Sequence, residues 1–447
     1  MRFEMSTQSP LRVGLFTDTY APQINGVVTS VQNLKRGLEE LGHTVTVVAP
    51  RHPQQTPERG VIRLRSAAYR PQPEQFAAFP PSLRKVLEFR RRKFDVIHTH
   101  GLGMPVLALG VARFLGVPVV HTYHTRVRDY VHYAPMYATL SWLVDDDRWY
   151  AGSNRLSRRV SNALHQRLET STQGLAARVD TWFCNRCVEV ISPAAPIADE
   201  LLEMGVRTPI TVIPNGINLA TLTAPSADPF PAHGVPVGAR RLLTVSRLGK
   251  EKSIDRLLER FALIRSRLPA AHLTIVGDGP ERTALEAYAA ELGVHDAVIF
   301  TGYVSSAEVG RYYQHAEVFV FASVSETQGL VALEAAACGL PVVARGEMGV
   351  IECVRDGQTG YLVDKDDAPA FAARTVELLR DPALHARLSA ASASFAALEG
   401  SHLTMTRRVL EVYARAMLLF KGWDELTLPD AINLARGQFD EDLERLK

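Results

Sequence analysis

The stretch that most constrains this chain is residues 318–344, VFVFASVSETQGLVALEAAACGLPVVA. Val318-Phe319-Val320-Phe321 is apolar, β-branched and aromatic, which predicts a buried strand. Residues 323–328 are polar and turn-like. Residues 329–338 combine small and apolar side chains with helix formers, and Gly339-Leu340-Pro341 ends the helix. Strand, loop and helix in that order place backbone N–H groups at the mouth of a parallel sheet, where a helix start attracts phosphate. Two carboxylates bracket that start, Glu326 in the loop and Glu334 in the helix. Neither binds a phosphate, since like charges repel. Both can accept hydrogen bonds from sugar hydroxyls on either side of a diphosphate. The spacing is therefore compatible with a nucleotide-sugar; the plainer alternative is a capping carboxylate and a helix-face glutamate of an ordinary α/β protein.

The same alternation runs through the chain. Residues 11–16 read as a strand and residues 17–26 as a loop. Val27, Val31, Leu34, Leu38 and Leu41 form a helical stripe, and residues 44–49 form the next strand. This is a βαβ unit with Gly26 at the strand–helix turn, without the GxGxxG of a dinucleotide site. A glycine there admits close approach of a ligand to the backbone, or simply makes the turn. Further strands are expected at 95–98, 117–120, 188–192 and 210–213, with a helix at 196–204. The pattern restarts with strands at 241–246, 272–276 and 298–301 and helices at 254–268 and 282–292, and the segment 306–314 leads into residues 318–344. At 447 residues there is room for two domains. The expected class is α/β, with two Rossmann-like doubly wound parallel-sheet domains facing across a cleft and ligands at the carboxyl ends of the strands. The expected boundaries are 1–219, a Pro-, Ala- and Gly-rich linker at 220–240, a second domain at 241–395, and C-terminal helices at 396–447 packing back toward the first domain.

Composition narrows the class further. Hydrophobic content of 46% and charged content of 22% suit a soluble globular protein, and no apolar run is long enough to span a bilayer. The first residues, MRFEMSTQSP, lack the apolar core of a secretory signal. Four cysteines make no disulfide framework, which fits a cytoplasmic location. Cys184-x-x-Cys187 has no second pair at zinc spacing and reads as two ordinary thiols. Asp145-Asp146-Asp147 lies in a helical polar region without a flanking strand, so no metal site is expected. Residues 1–219 carry 26 Lys and Arg against 18 Asp and Glu, a net +8, and the remainder carries −6. The basic half suits an anionic surface, membrane or nucleic acid, unless the asymmetry is chance. Within it, residues 79–94, FPPSLRKVLEFRRRKF, mix Leu83, Val86, Leu87 and Phe94 with Arg84, Lys85, Arg90, Arg91, Arg92 and Lys93. A basic amphipathic helix of this kind can lie on an anionic membrane. The same composition also suits a solvated helix on a domain rim.

Several of these stretches resemble one family. Glu326 and Glu334, with seven residues between them, match the two-glutamate motif of retaining glycosyltransferases of glycosyltransferase family 4, which have the GT-B fold. DTYAPQINGVVTSV is similar to their opening loop, SRLGKEKS to their cationic loop, and IPNGIN to their domain junction. TYHT, followed by DYVHY at residues 129–133, resembles the members that glycosylate diacylglycerol. Asn218 stands where many relatives have Asp, and Asn215 where many lipid glucosyltransferases have Thr. The resemblance implies a catalytic set of His124, Arg247, Lys252 and Glu326. By that resemblance His124 would contact the donor sugar, and Arg247 and Lys252 would neutralise the departing diphosphate without a metal. It further implies donor contacts from Gly26, from the Gly329 and Leu330 amides, from Tyr303 and Val304 at the base, and from Glu334 at the ribose. His98 and His121 are weaker candidates. The implied activity moves a hexose from a nucleotide-sugar, UDP-glucose being the expected donor, to a diacylglycerol-type lipid. The implied enzyme needs no cofactor, works at the inner face of the cell membrane as a peripheral protein, and has no nucleic-acid partner. Other acceptors remain open: a phosphoinositol, a soluble sugar or a polysaccharide. So do an epimerase and a non-catalytic sugar-binding protein on the same scaffold.

Overall fold

The computed structural model describes residues 9–69, 72–101, 103–124, 174, 177–305, 308–323 and 326–420. The DYVHY motif, the Asp145-Asp146-Asp147 triplet and the tail from residue 424 lie outside the described residues. The first lobe runs β1 (Arg12–Thr17), α1 (Gly26–Glu40), β2 (Thr44–Pro50), β3 (Val61–Leu64) and a hairpin of β4 (Ser66–Tyr69) and β5 (Gln72–Ala78). It continues with α2 (Leu83–Arg92), β6 (Val96–His100), α3 (Met104–Leu115), β7 (Val119–Thr122), β8 (Glu189–Ser192), α4 (Ala195–Glu203) and β9 (Ile210–Val212). Its sheet has the order β3-β2-β1-β6-β7-β8-β9, every pair parallel. Every residue of β6, β7 and β8 is buried, as a parallel strand covered on both faces requires.

The second lobe follows α5 (Leu219–Leu222). It runs β10 (Arg240–Val245), α6 (Ile254–Arg267), β11 (Ala271–Val276), α7 (Arg282–Glu291), β12 (Val298–Gly302), α8 (Val309–His315), β13 (Val318–Phe321), α9 (Leu330–Ala337), β14 (Val342–Arg345), β15 (Gly360–Val363) and α10 (Ala368–Arg380). The order is β12-β11-β10-β13-β14-β15, again all parallel. All four residues of β13 are buried, and each such apolar side chain contributes roughly 1.5–3 kcal/mol of burial. Within residues 221–240, Phe230 is fully buried in the second lobe's core under the Arg241 guanidinium, which bridges Asp228 at 2.7 Å.

Two helices close the described chain, α11 (Pro382–Glu399) and α12 (His402–Leu419). Met405, Val409, Val412 and Tyr413 of α12 share a core with Val31, Leu34 and Leu38 of α1, so the last helix covers the first lobe. Strand order reverses between β1 and β6 in one sheet and between β10 and β13 in the other. Those two switch points are where open α/β sheets leave a crevice for ligands.

Candidate active site

The second lobe's switch point lies between the loop after β10 and the loop after β13. The first loop carries Arg247 and Lys252, the second Glu326. Lys252 Nζ lies 2.6 Å from Glu326 Oε1, which also accepts from Ser323 Oγ at 2.9 Å. Both side chains of that pair are four-fifths buried. Arg247 donates to Glu251 Oε1 at 2.6 Å. Ammonium and carboxylate thus meet at the carboxyl end of the sheet from positions 74 residues apart in sequence, with the Arg247 guanidinium on the same loop as the ammonium.

Gly329 caps α9 in the left-handed region, at φ 81°, where a side chain would be strained. The loop before it is pinned from below. Gly349 N donates to the Glu326 carbonyl at 3.0 Å, and a Cβ on Gly349 would fall on the Thr327 carbonyl. Glu334, one turn into α9, accepts from the Tyr313 hydroxyl of α8 at 2.9 Å. Burial lifts the Glu334 carboxyl from its ordinary range to about 7, the Tyr313 hydrogen bond acting the other way. Tyr303 is exposed and Val304 half-buried just past β12.

The first lobe contributes Gly26, the first residue of α1, whose start is capped by Asn25 accepting from Val28 N at 3.0 Å. A Cβ added at Gly26 would meet only Leu330 Cδ1 of the other lobe, 4.0 Å away. Packing within the protein therefore does not demand a glycine there, and the glycine borders open space facing α9. At the ends of β6 and β7 lie four buried histidines. His98 Nδ1 and Nε2 meet the Tyr413 hydroxyl and Thr122 Oγ1, each at 2.7 Å. His100 Nδ1 lies 2.9 Å from His124 Nε2. His121, on the opposite face, has its Nδ1 2.9 Å from Thr99 Oγ1 and 3.1 Å from the Thr99 carbonyl. Burial pushes His124 down to about 3, with His121 adding to the effect, and His121 itself down to about 4.

A buried polar relay joins the two lobes. Ser30 Oγ of α1 donates to Asn215 Oδ1 at 2.6 Å. Asn215 donates from its backbone N and from Nδ2 to Gln328 Oε1, at 2.6 and 2.7 Å, and Gln328 Nε2 returns a bond to the Asn215 carbonyl at 3.1 Å. Residue-by-residue sequence reading missed Gln328, Ser323, Tyr313 and His100. For His100 a signal existed in the His-x-His spacing, which places both rings on one face of a strand.

The basic helix is α2. Phe89 is its only buried residue, while Leu83 and Leu87, one turn apart, are exposed, with Phe79 exposed just before it. Lys85 bridges Glu88 at 2.8 Å, and Arg84, Arg90, Arg91, Arg92 and Lys93 are exposed. Among the described residues no helix is long and apolar enough to cross a membrane. Also among them, no cluster of three or more His, Cys, Asp or Glu side chains is arranged to hold a metal ion. Cys184 and Cys187 are buried, unbridged thiols.

Residues 24–221 match the family Glycosyltransferase Family 4, and residues 227–395 match Glycosyl transferases group 1. The alpha-monoglucosyldiacylglycerol synthase of Acholeplasma laidlawii is 33% identical over 80% of this chain and 86% of its own length. The synthase of the same name from Streptococcus pneumoniae is 32% identical over 79% of this chain and 75% of its own. Among solved structures, Anabaena HepE in complex with UDP and glucose superposes with a TM-score of 0.66 at 18% identity, covering 91% of this chain and all of that one. The last similarity is one of fold, and that fold is GT-B.

Proposed function

This chain belongs to glycosyltransferase family 4, and from that premise we propose that it is a retaining, metal-independent transferase moving glucose from UDP-glucose to a diacylglycerol-type lipid. One observation carries the reading: Lys252 and Glu326 converge to 2.6 Å at the second lobe's switch point, beside the start of α9. A diphosphate drawn to that helix start takes Lys252 and Arg247 as its counter-charges. Glu326 and Glu334 then accept from hydroxyls of the transferred sugar and the ribose. Tyr303 and Val304 flank the base, and the Gly329 and Leu330 amides face phosphate oxygens. Gly26 gives the donor room on the opposite wall, and His124 meets the sugar near its reacting carbon.

In the proposed reaction the bond from the sugar's anomeric carbon to the phosphate oxygen breaks. A bond from the same carbon to the acceptor hydroxyl oxygen forms on the same face. The acceptor's proton goes to the departing phosphate oxygen. Positive charge fixed where negative charge develops is the main contribution of the protein, and one such group is typically worth 10²–10³ in rate, roughly. The lipid acceptor draws support from the two synthases similar over most of this chain. The UDP-sugar donor draws support from the ligands of HepE. A peripheral place on an anionic membrane surface, at the cytoplasmic face, draws support from α2 and its exposed Leu83 and Leu87.

The test is a labelled-donor assay over UDP-, GDP- and ADP-sugars, with and without diacylglycerol vesicles. Glucosylated diacylglycerol from UDP-glucose is the expected product, unaffected by a chelator. Glu326→Ala and Lys252→Ala are each expected to abolish transfer. Near-normal transfer in both variants excludes this site, and a changed sugar nucleotide formed without any acceptor identifies an epimerase instead.

A further inference from the structure

The buried pair His100 and His124 carries information that the individual residues do not. The parallel register sets His98 beside Val120 and His100 beside Thr122, so His98, His100, Thr122 and His124 share one face at the carboxyl ends of β6 and β7. The His100 and His124 rings stack, with centroids 5.2 Å apart and planes 19° apart, and their Nδ1 and Nε2 atoms are 2.9 Å apart. Burial holds both well below the ordinary imidazole range, so both rings are neutral. A contact between two neutral imidazoles needs one N–H and one lone pair, which leaves two arrangements.

In the first, His124 donates from Nε2 and His100 accepts at Nδ1. His100 then carries its proton on Nε2, an atom that is buried and has no hydrogen-bond partner. A buried N–H without an acceptor is the rarer defect in folded proteins. In the second, His100 donates from Nδ1, its Nε2 keeps only a lone pair, and His124 carries its proton on Nδ1. The neighbours do not disturb this choice. Both nitrogens of His98 are engaged by Tyr413 and Thr122, and His121 faces the other side, held by the Thr99 carbonyl.

We propose that His100 is a positioning residue that locks His124 in the tautomer protonated on Nδ1, so that His124 offers an N–H to an oxygen of the transferred sugar. The inference rests on the donor-site reading above, in which His124 faces that sugar. It makes the His100 ring part of the recognition of a hexose hydroxyl or ring oxygen, although His100 itself touches no substrate.

The experiment uses the full chain labelled with 15N-histidine, read by long-range proton–nitrogen correlation, in the wild type, His100→Asn and His100→Leu. An Asn amide presents an N–H near the place of Nδ1, whereas Leu presents none. The expected result is His124 protonated on Nδ1 in the wild type and in His100→Asn, and a shift toward Nε2 in His100→Leu. With UDP-glucose, KM is expected to rise about tenfold in His100→Leu and to recover in His100→Asn, as for one lost hydrogen bond. His124 protonated on Nε2 in the wild type overturns the proposal, even where His100→Leu does not fold. So does a His124 tautomer indifferent to His100→Leu. A tautomer shift in a protein that turns over no sugar nucleotide upholds the His100–His124 coupling and sinks the transferase reading alone.

Discussion

In the proposed donor site, the buried Glu334 carboxyl would serve ligand binding at the expense of the empty fold. Burial raises it to about 7, while the Tyr313 hydroxyl donates to it and partly restores the charged form. A sugar hydroxyl donates best to an ionised carboxylate, so the proposed donor site would be at full strength only above that value. Donor KM is therefore expected to rise as pH falls through about 7, read from initial rates about one unit to either side. In Glu334→Gln the KM is expected to be about tenfold higher and to lose that pH dependence. Stability has the opposite sign. A folded-state value above the unfolded one means the native protein holds more protons between about 4.5 and 7, so stability falls as pH rises across that window. Glu334→Gln is expected to gain on the order of 2 kcal/mol at pH 8 by removing that burden, seen as a raised Tm. A KM that stays flat with pH in the wild type refutes the assignment of Glu334 to the donor. The Glu326–Glu334 spacing was legible because both residues sit on one short strand–loop–helix unit. Tyr313 was not, because its hydroxyl reaches Glu334 only through the packing of α8 against α9.

At the scale of elements, α2 is the one to test. It buries Phe89 alone, and its outward side pairs exposed Leu83 and Leu87 with Arg90, Arg91, Arg92 and Lys93. Each basic residue near an anionic surface is worth about 1 kcal/mol, so changing those four to Ser is expected to weaken vesicle binding by roughly a thousandfold at low salt. Sedimentation with anionic liposomes measures it, and unchanged binding rejects the membrane role. Leu83→Ser with Leu87→Ser is expected to weaken binding while leaving Tm unaltered, since neither side chain is buried. Much of the fold was legible at this scale because parallel strands buried on both faces are continuous apolar runs, such as Val318–Phe321. The hairpin of β4 and β5 was not. Its first strand has only four residues, Pro73 stands near the start of the second, and neither strand carries a β-branched residue.

The whole molecule is held to its two-lobed form by contacts that no local pattern announces. Tyr413 meets His98 across 315 residues, and Gln328 meets Asn215 across 113. Both partnerships depend on how far α12 and the loop after β13 travel back across the chain, which local periodicity does not encode. The Ser30–Asn215–Gln328 relay is the more consequential. Ser30 stands one turn after Gly26 on one wall, Gln328 stands between Glu326 and Gly329 on the other, and Asn215 bonds to both. Ser30 and Gln328 share that partner, so their effects on the reaction are expected to be coupled. In a double-mutant cycle of Ser30→Ala and Gln328→Ala, scored on kcat/KM for UDP-glucose, an interaction of about 0.5–3 kcal/mol is expected. Each single change leaves a polar group of Asn215 buried without its partner, and the second change adds less than the first because the relay is already broken. Effects that add to within about 0.3–0.5 kcal/mol show that Asn215 does not transmit between the walls, and that each lobe presents its ligand groups independently.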